Sequence, residues 1–82
     1  MPRYFFDIDD GERCTRDAEG TEYPGAQEAC DAAIRTLPEI GRDVVPDGGQ
    51  RDIVTIVRDI GGRALVRTTL SLRTEWLAVH KG

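Results

Sequence analysis

Apolar residues recur at intervals of three and four from Ala26 to Val44: Ala26, Ala29, Cys30, Ala33, Ile34, Leu37, Ile40 and Val44. That spacing places them on one side of an α-helix. Gln27, Glu28, Asp31, Arg35, Glu39 and Arg42 fall mostly on the other side. Glu28 and Asp31 stand near the start and Arg35 and Arg42 later, as the helix dipole favours. Pro38 has no N–H to give the carbonyl of Ile34, and its ring crowds that carbonyl. Gly41 weakens helix again three residues on. The apolar stripe nevertheless keeps its phase across both. The pattern therefore predicts one helix kinked near Pro38, or two short helices sharing a seam, ended by Pro46 and Asp47-Gly48-Gly49. Ala and Cys at the start of the stripe predict a close approach to the partner layer.

On either side the period changes to two. In residues 3–9, Tyr4, Phe6 and Ile8 face one way and Phe5, Asp7 and Asp9 the other, a half-buried strand. Asp10-Gly11 is a two-residue turn signal, with Glu12 to Asp17 expected to return as a polar edge strand. A loop over residues 19–24 leads into the helix, where Tyr23 could staple the first turn. Arg51 to Asp59 is rich in Val and Ile and reads as a strand. Gly61-Gly62 is a second hairpin signal, and Arg63 to Thr74 a long final strand. A two-residue turn there pairs Val57 with Val66, Thr55 with Thr68 and Ile53 with Leu70, an inner face completed by Leu72. The expected architecture is α+β: a two-layer ββαββ sandwich, a mostly antiparallel four-stranded sheet with the Pro38-kinked helix on one face. With the first and last strands as central neighbours, the order would be 2-1-4-3. Residues 1–74 make the single domain and 75–82 a C-terminal tail holding Trp76 and His80.

The outer face of that sheet departs from a plain solvated surface. It carries Val54, Ile56 and Leu65 with Phe5, and beyond them Arg58, Arg67 and Arg73. Those residues, with Trp76, form the candidate interaction face. Either something covers these apolar side chains, a second copy of the chain or another protein partner, or they are ordinary exposed strand residues; self-association is the leading expectation. An 82-residue domain buries only about 60–65% of its unfolded surface, so it gains from association.

Composition narrows the function. The net charge of −4 argues against nonspecific nucleic-acid binding. The charge is uneven: residues 1–31 hold nine acidic and three basic side chains, residues 32–82 six and eight. Ten of the eleven basic residues are arginine, suited to planar bidentate contacts. An RNA- or DNA-binding reading of Arg58, Arg67 and Arg73 lacks the aromatic stacking platforms such sheets use. No run approaches a membrane span of about 20 apolar residues. The opening MPRYFFDIDD turns acidic within seven residues, unlike a signal peptide, so the expected compartment is the cytoplasm, with Cys14 and Cys30 reduced.

Reactive chemistry finds little support. Asp7, Asp9, Asp10 and Glu12 cluster at the first hairpin, but Gly11 comes one place early for an EF-hand and position 17 is Asp17. One His cannot assemble a zinc site with two distant cysteines. Ser71, the only serine, has no base in its sequence context. Gly48-Gly49 and Gly61-Gly62 are not followed by the Lys of a phosphate loop. The expectation is a non-enzyme without metal or cofactor.

MPRYFFDIDDGE, the RD and EGTE after it, the LPEIGRD and VPDGG helix exit, and the VRD, GGR and TL of the last hairpin resemble a family of short bacterial proteins classed as a domain of unknown function. The match runs from about Met1 to Arg73. It implies membership and fold and brings no activity, substrate or site. Residues 3–45 are also similar, through an aromatic strand, Pro24-Gly25 and an Ala/Glu-rich helix, to the N-terminal part of HicB-type antitoxins. That likeness implies an alternative role as partner of a small toxin, met through acidic residues 7–22.

Overall fold

The computed structural model describes residues 1–44 and 49–78. Along the chain run β1 (Arg3–Asp9), β2 (Cys14–Thr15), β3 (Thr21–Glu22), α1 (Ala26–Gly41), β4 (Gln50–Arg58) and β5 (Ala64–Arg73). The strands form one antiparallel sheet in the order β2-β1-β4-β5, with β3 also paired to β1. One helix lies on one face, so the fold is α+β as expected, with five strands in place of four.

The helix is continuous from Ala26 to Gly41 with Pro38 inside it. Proline sits in the final turn, where only one ladder bond is lost. The helix ends at Gly41, short of the expected stop at Pro46 and Asp47-Gly48-Gly49, so Val44, expected on its stripe, follows the helix; residues 45–48 lie outside the described residues. Ala29, Ala33 and Leu37 form the buried seam. Ile34, expected on it, is 51% exposed, because it stands roughly 100° round from that seam. Gly41 has a use beyond ending the helix. A Cβ there would come within 3.1 Å of Leu70 and 3.2 Å of Ile53, so its bareness lets α1 settle close on β4 and β5.

The core is thin: Tyr4, Ala29, Ala33, Leu37, Ile53 and Val57, with Thr55 among them. At one end Tyr23 stacks on Phe6 with centroids 5.9 Å apart and tilts against Tyr4, closing the cluster that holds Ala29.

The second hairpin has the expected register, with Val57, Thr55 and Ile53 opposite Val66, Thr68 and Leu70. The turn differs. Asp59 N–H donates to the Arg63 carbonyl across a three-residue loop, with Gly62 at φ +85°. One residue, Leu65, is then left over as a bulge between Val66 and Ala64. Longer loop and bulge compensate, so the register survives.

The strand order 2-1-4-3 is corrected: β1 neighbours the segment Gln50–Arg58, antiparallel, and not the last strand. The reason lies in β4 itself. It is apolar on both faces, with Ile53 and Val57 inside and Val54 and Ile56 outside, and so takes a central place. The outer side of β5 carries Arg67, Thr69, Ser71 and Arg73 and suits an edge.

Thr55 and Thr68 face each other across β4 and β5, and neither buried hydroxyl has a hydrogen-bond partner among the described residues. Thr55→Val removes one such group at constant shape, so urea unfolding is expected to show neutral to about 1 kcal/mol higher stability. Ile53→Ala should cost about 2–4 kcal/mol in the same assay. Ile34→Ala should stay within about 0.5 kcal/mol; a large loss at Ile34 would contradict the seam described.

Candidate functional site

The outer sheet face is built from the odd-numbered positions of β1 and β5 and the even-numbered positions of β4. Cross-strand rows set it out: Phe5 opposite Arg58, Asp7 beside Ile56 and Arg67, Asp9 beside Val54 and Thr69. Gln50 and Arg73 close the far end. A shallow open concavity of 460 Å³ lies in the middle, floored by Val54 and Ile56, with Asp7 and Asp9 on one side and Arg67 on the other.

Two candidate face residues prove to be committed within the chain. Arg58 donates from Nε to Asp7 Oδ2 at 2.6 Å and from Nη2 to Asp7 Oδ1 at 3.1 Å. Its guanidinium also lies 5.1 Å from the Phe5 ring centroid. The two charged side chains are only 13% and 18% exposed. Bidentate geometry in a partly dry setting makes this a strong pair. Phe5 is hemmed in on its other side by Gly20, where a Cβ would stand 2.8 Å from the ring and 2.9 Å from the Tyr4 carbonyl.

The partner of this pair was not expected. In place of a return strand from Glu12 to Asp17, the chain forms two dipeptide strands. β2 pairs with Ile8 and Asp9, and β3 with Arg3 and Tyr4. Between them Phe6 has no strand neighbour on that edge. Its N–H donates instead to Asp17 Oδ2 at 3.1 Å. The other oxygen, Oδ1, accepts from Glu19 N–H at 3.1 Å and Gly20 N–H at 3.0 Å. Asp17 N–H donates to Asp7 Oδ1, and the Asp17 carbonyl accepts from Arg58. One aspartate thus replaces a rung of the ladder and joins the Asp7–Arg58 pair. Arg3 pins the loop from outside through the carbonyls of Glu19 and Gly20.

A similar local device shapes the first turn. Asp10 N–H donates to the Arg13 carbonyl, and the Asp10 carboxylate accepts from the Glu12 and Arg13 amides. Four residues therefore separate the strands in place of the two expected.

The carboxyl groups respond accordingly. The hydrogen bond from Arg58 holds Asp7 below the usual carboxylate value against the opposing effect of burial. At Asp17 burial pushes upward, but the amides of Gly20, Phe6 and Glu19 together outweigh it and the group stays below its ordinary value.

The remaining candidates stay open to solvent in part. Val54 and Ile56 are half-buried, Leu65 is 36% exposed, and Arg67 and Arg73 are exposed. Arg67 makes no ion pair among the described residues. Trp76 follows β5 and is 70% exposed; His80 lies outside the described residues. Cys14 and Cys30 are free thiols. Among the described residues no group of three or more His, Cys, Asp or Glu is placed to hold a metal ion. No described helix is long and apolar enough to cross a membrane.

Fold and face together define a small α+β domain whose sheet is covered on one side only by the described elements. The chain belongs to the family described as a domain of unknown function, DUF6894, whose model matches residues 3–71. The likeness to HicB-type antitoxins is not confirmed, for no curated protein and no solved structure matches the chain.

Asp17→Asn puts an amide nitrogen where one carboxylate oxygen accepted, so a backbone donor loses its acceptor. A cost of about 1–3 kcal/mol at pH 7 is expected by urea unfolding. Both carboxyl groups have folded values below their unfolded ones. Their stabilisation is therefore complete above about 3.9, the unfolded value, and is lost as pH falls from there through the lower folded values. Wild type should weaken steeply over that acid range and D17N less steeply; parallel pH profiles would contradict the role given to Asp17.

Proposed function

We propose that this domain is a non-catalytic protein-interaction module that forms a homodimer through the outer face of its sheet. The observation that carries the reading is the one-sided cover. α1 lies over the inner face, while Val54, Ile56 and Leu65 on the outer face lie under no described element. A strip of this kind gains by being buried, at about 25 cal/mol for each Å² of apolar surface.

The face has the size for a modest interface. Three strands about 4.8 Å apart and about seven residues long span a few hundred Å² of plane. That is the low end for specific association, which places the expected affinity in the micromolar range. The charge pattern disfavours nucleic acid. Arg58 is bound by Asp7, and the carboxylates of Asp7, Asp9 and Asp52 share the face with Arg67.

Light scattering after size exclusion, over a dilution series from hundreds to a few micromolar, tests the reading. Wild type should pass from dimer to monomer, and Val54→Glu should be monomeric throughout with an unchanged circular dichroism spectrum. A wild-type monomer at every concentration would overturn the proposal.

A further inference from the structure

β5 stands at the end of the sheet and, among the described elements, pairs with β4 alone. The direction of its backbone groups follows from the hairpin. Thr74 N–H donates to the Gly49 carbonyl at 2.7 Å, and the register continues from there without a slip to Val57 opposite Val66. Along an antiparallel strand the groups that face the neighbour alternate with those that face away. The amides and carbonyls of Leu72, Leu70, Thr68 and Val66 therefore point to β4, and those of Arg73, Ser71, Thr69 and Arg67 point away from the sheet. The bond from Asp59 N–H to the Arg63 carbonyl agrees, since odd-numbered residues from Gly49 to Asp59 then all face β5. Four outward residues in turn thus offer donors and acceptors that a further strand would pair.

Their side chains say what kind of strand. All four lie on the outer face, opposite Gln50, Asp52, Val54 and Ile56 of β4. Arg67 and Arg73 are exposed and make no ion pair among the described residues. β5 itself holds no acidic residue, and the carboxylate beside it on β4, Asp52, accepts from Ser71 at 2.8 Å. The two arginines are six positions apart, about 20 Å in a strand. On the inner side the same edge offers Leu70 and Leu72, the latter 39% exposed.

A second copy of β5 fits this edge poorly. Antiparallel pairing that uses all four outward residues of both copies centres on Leu70 and sets Arg67 opposite Arg73 twice, like charge on like. Moving the centre to Thr69 puts Arg73 opposite the bulged Leu65. Moving it to Ser71 puts Arg67 opposite Glu75, beyond the end of the strand.

We infer that the free edge of β5 binds an extended acidic segment of a protein partner, added as a further strand with Asp or Glu opposite Arg67 and Arg73. Backbone bonds hold the segment, and carboxylates meeting the two guanidinium groups select it. The inference concerns the edge of the sheet and does not rest on the homodimer.

Amide hydrogen exchange followed by NMR on the full chain tests it, with the end-blocked peptide Glu-Val-Thr-Val-Thr-Val-Glu as probe. That sequence reads alike in both directions, so it serves parallel and antiparallel addition equally. In the chain alone the amides of Arg67, Thr69, Ser71 and Arg73 should exchange fast, and those of Val66, Thr68, Leu70 and Leu72 slowly. Millimolar probe should slow the outward four about tenfold or more, and less so as salt is added. Arg67→Glu combined with Arg73→Glu, with the circular dichroism spectrum of wild type, should lose that protection and gain it from Lys-Val-Thr-Val-Thr-Val-Lys. No slowing of the four amides at millimolar probe, or equal slowing of wild type by the lysine peptide, overturns the inference. So does slow exchange of the four without probe that fades on dilution, because a second copy then holds the edge. Val54→Glu reports on the outer-face dimer separately, so either reading can fail alone.

Discussion

A carboxylate standing in for a strand holds the edge of this domain together. Asp17 supplies the acceptor that Phe6 N–H lacks between two dipeptide strands, and ties its own loop with the second oxygen. The same residue steadies the Asp7–Arg58 pair from its backbone. That pair links β1 to β4 on the outer face, so the placing of the central strands and the closing of the edge are one arrangement. Gly20 is its steric condition. At φ +73°, with the Tyr4 carbonyl and the Phe5 ring 2.8–2.9 Å from where a Cβ would be, no other residue fits without displacement.

The covered face is stabilised differently. Alanines at 29 and 33 and the bare backbone of Gly41 let α1 lie close on β4, so few large side chains fill the space between. A core of this size leaves a small margin over the conformational entropy of folding. Thr55 and Thr68 narrow it further by burying hydroxyls in the middle of the apolar layer. The polar network on the outer side and the apolar seam on the inner side thus share the work of holding a short chain in one shape. Covering the outer strip would add burial beyond what the inner layer supplies.

Much of the fold was legible in the order of residues. Period-three-and-four spacing located α1, and alternation located β1, β4 and β5, because those patterns follow directly from backbone geometry. The register of the last hairpin was readable as well, though through a turn that differs in detail, since an added loop residue and a bulge at Leu65 offset each other. What escaped depends on contacts between distant segments. A polar stretch from Glu12 to Asp17 reads as an edge strand until Asp17 is seen to bond Phe6, eleven positions away. Its local signal was an aspartate three residues before a glycine, the mark of a side-chain-closed turn. Arg58 and Phe5 were readable as face residues but not as each other's neighbours, because pairing β1 with β4 needed the strand order. Double-sided apolarity in Asp52–Arg58, weighed against the polar outer positions of β5, was the clue to that order.

The two margins of the sheet are unlike. On the β1 side the margin is cut into two dipeptides with a side chain between them, too short and irregular to template another strand. On the β5 side ten residues run in one piece. Among the described strands, lateral growth through hydrogen bonding therefore has a single starting place: two molecules joined there would leave only blunt ends outward, and the joined sheet would extend no further.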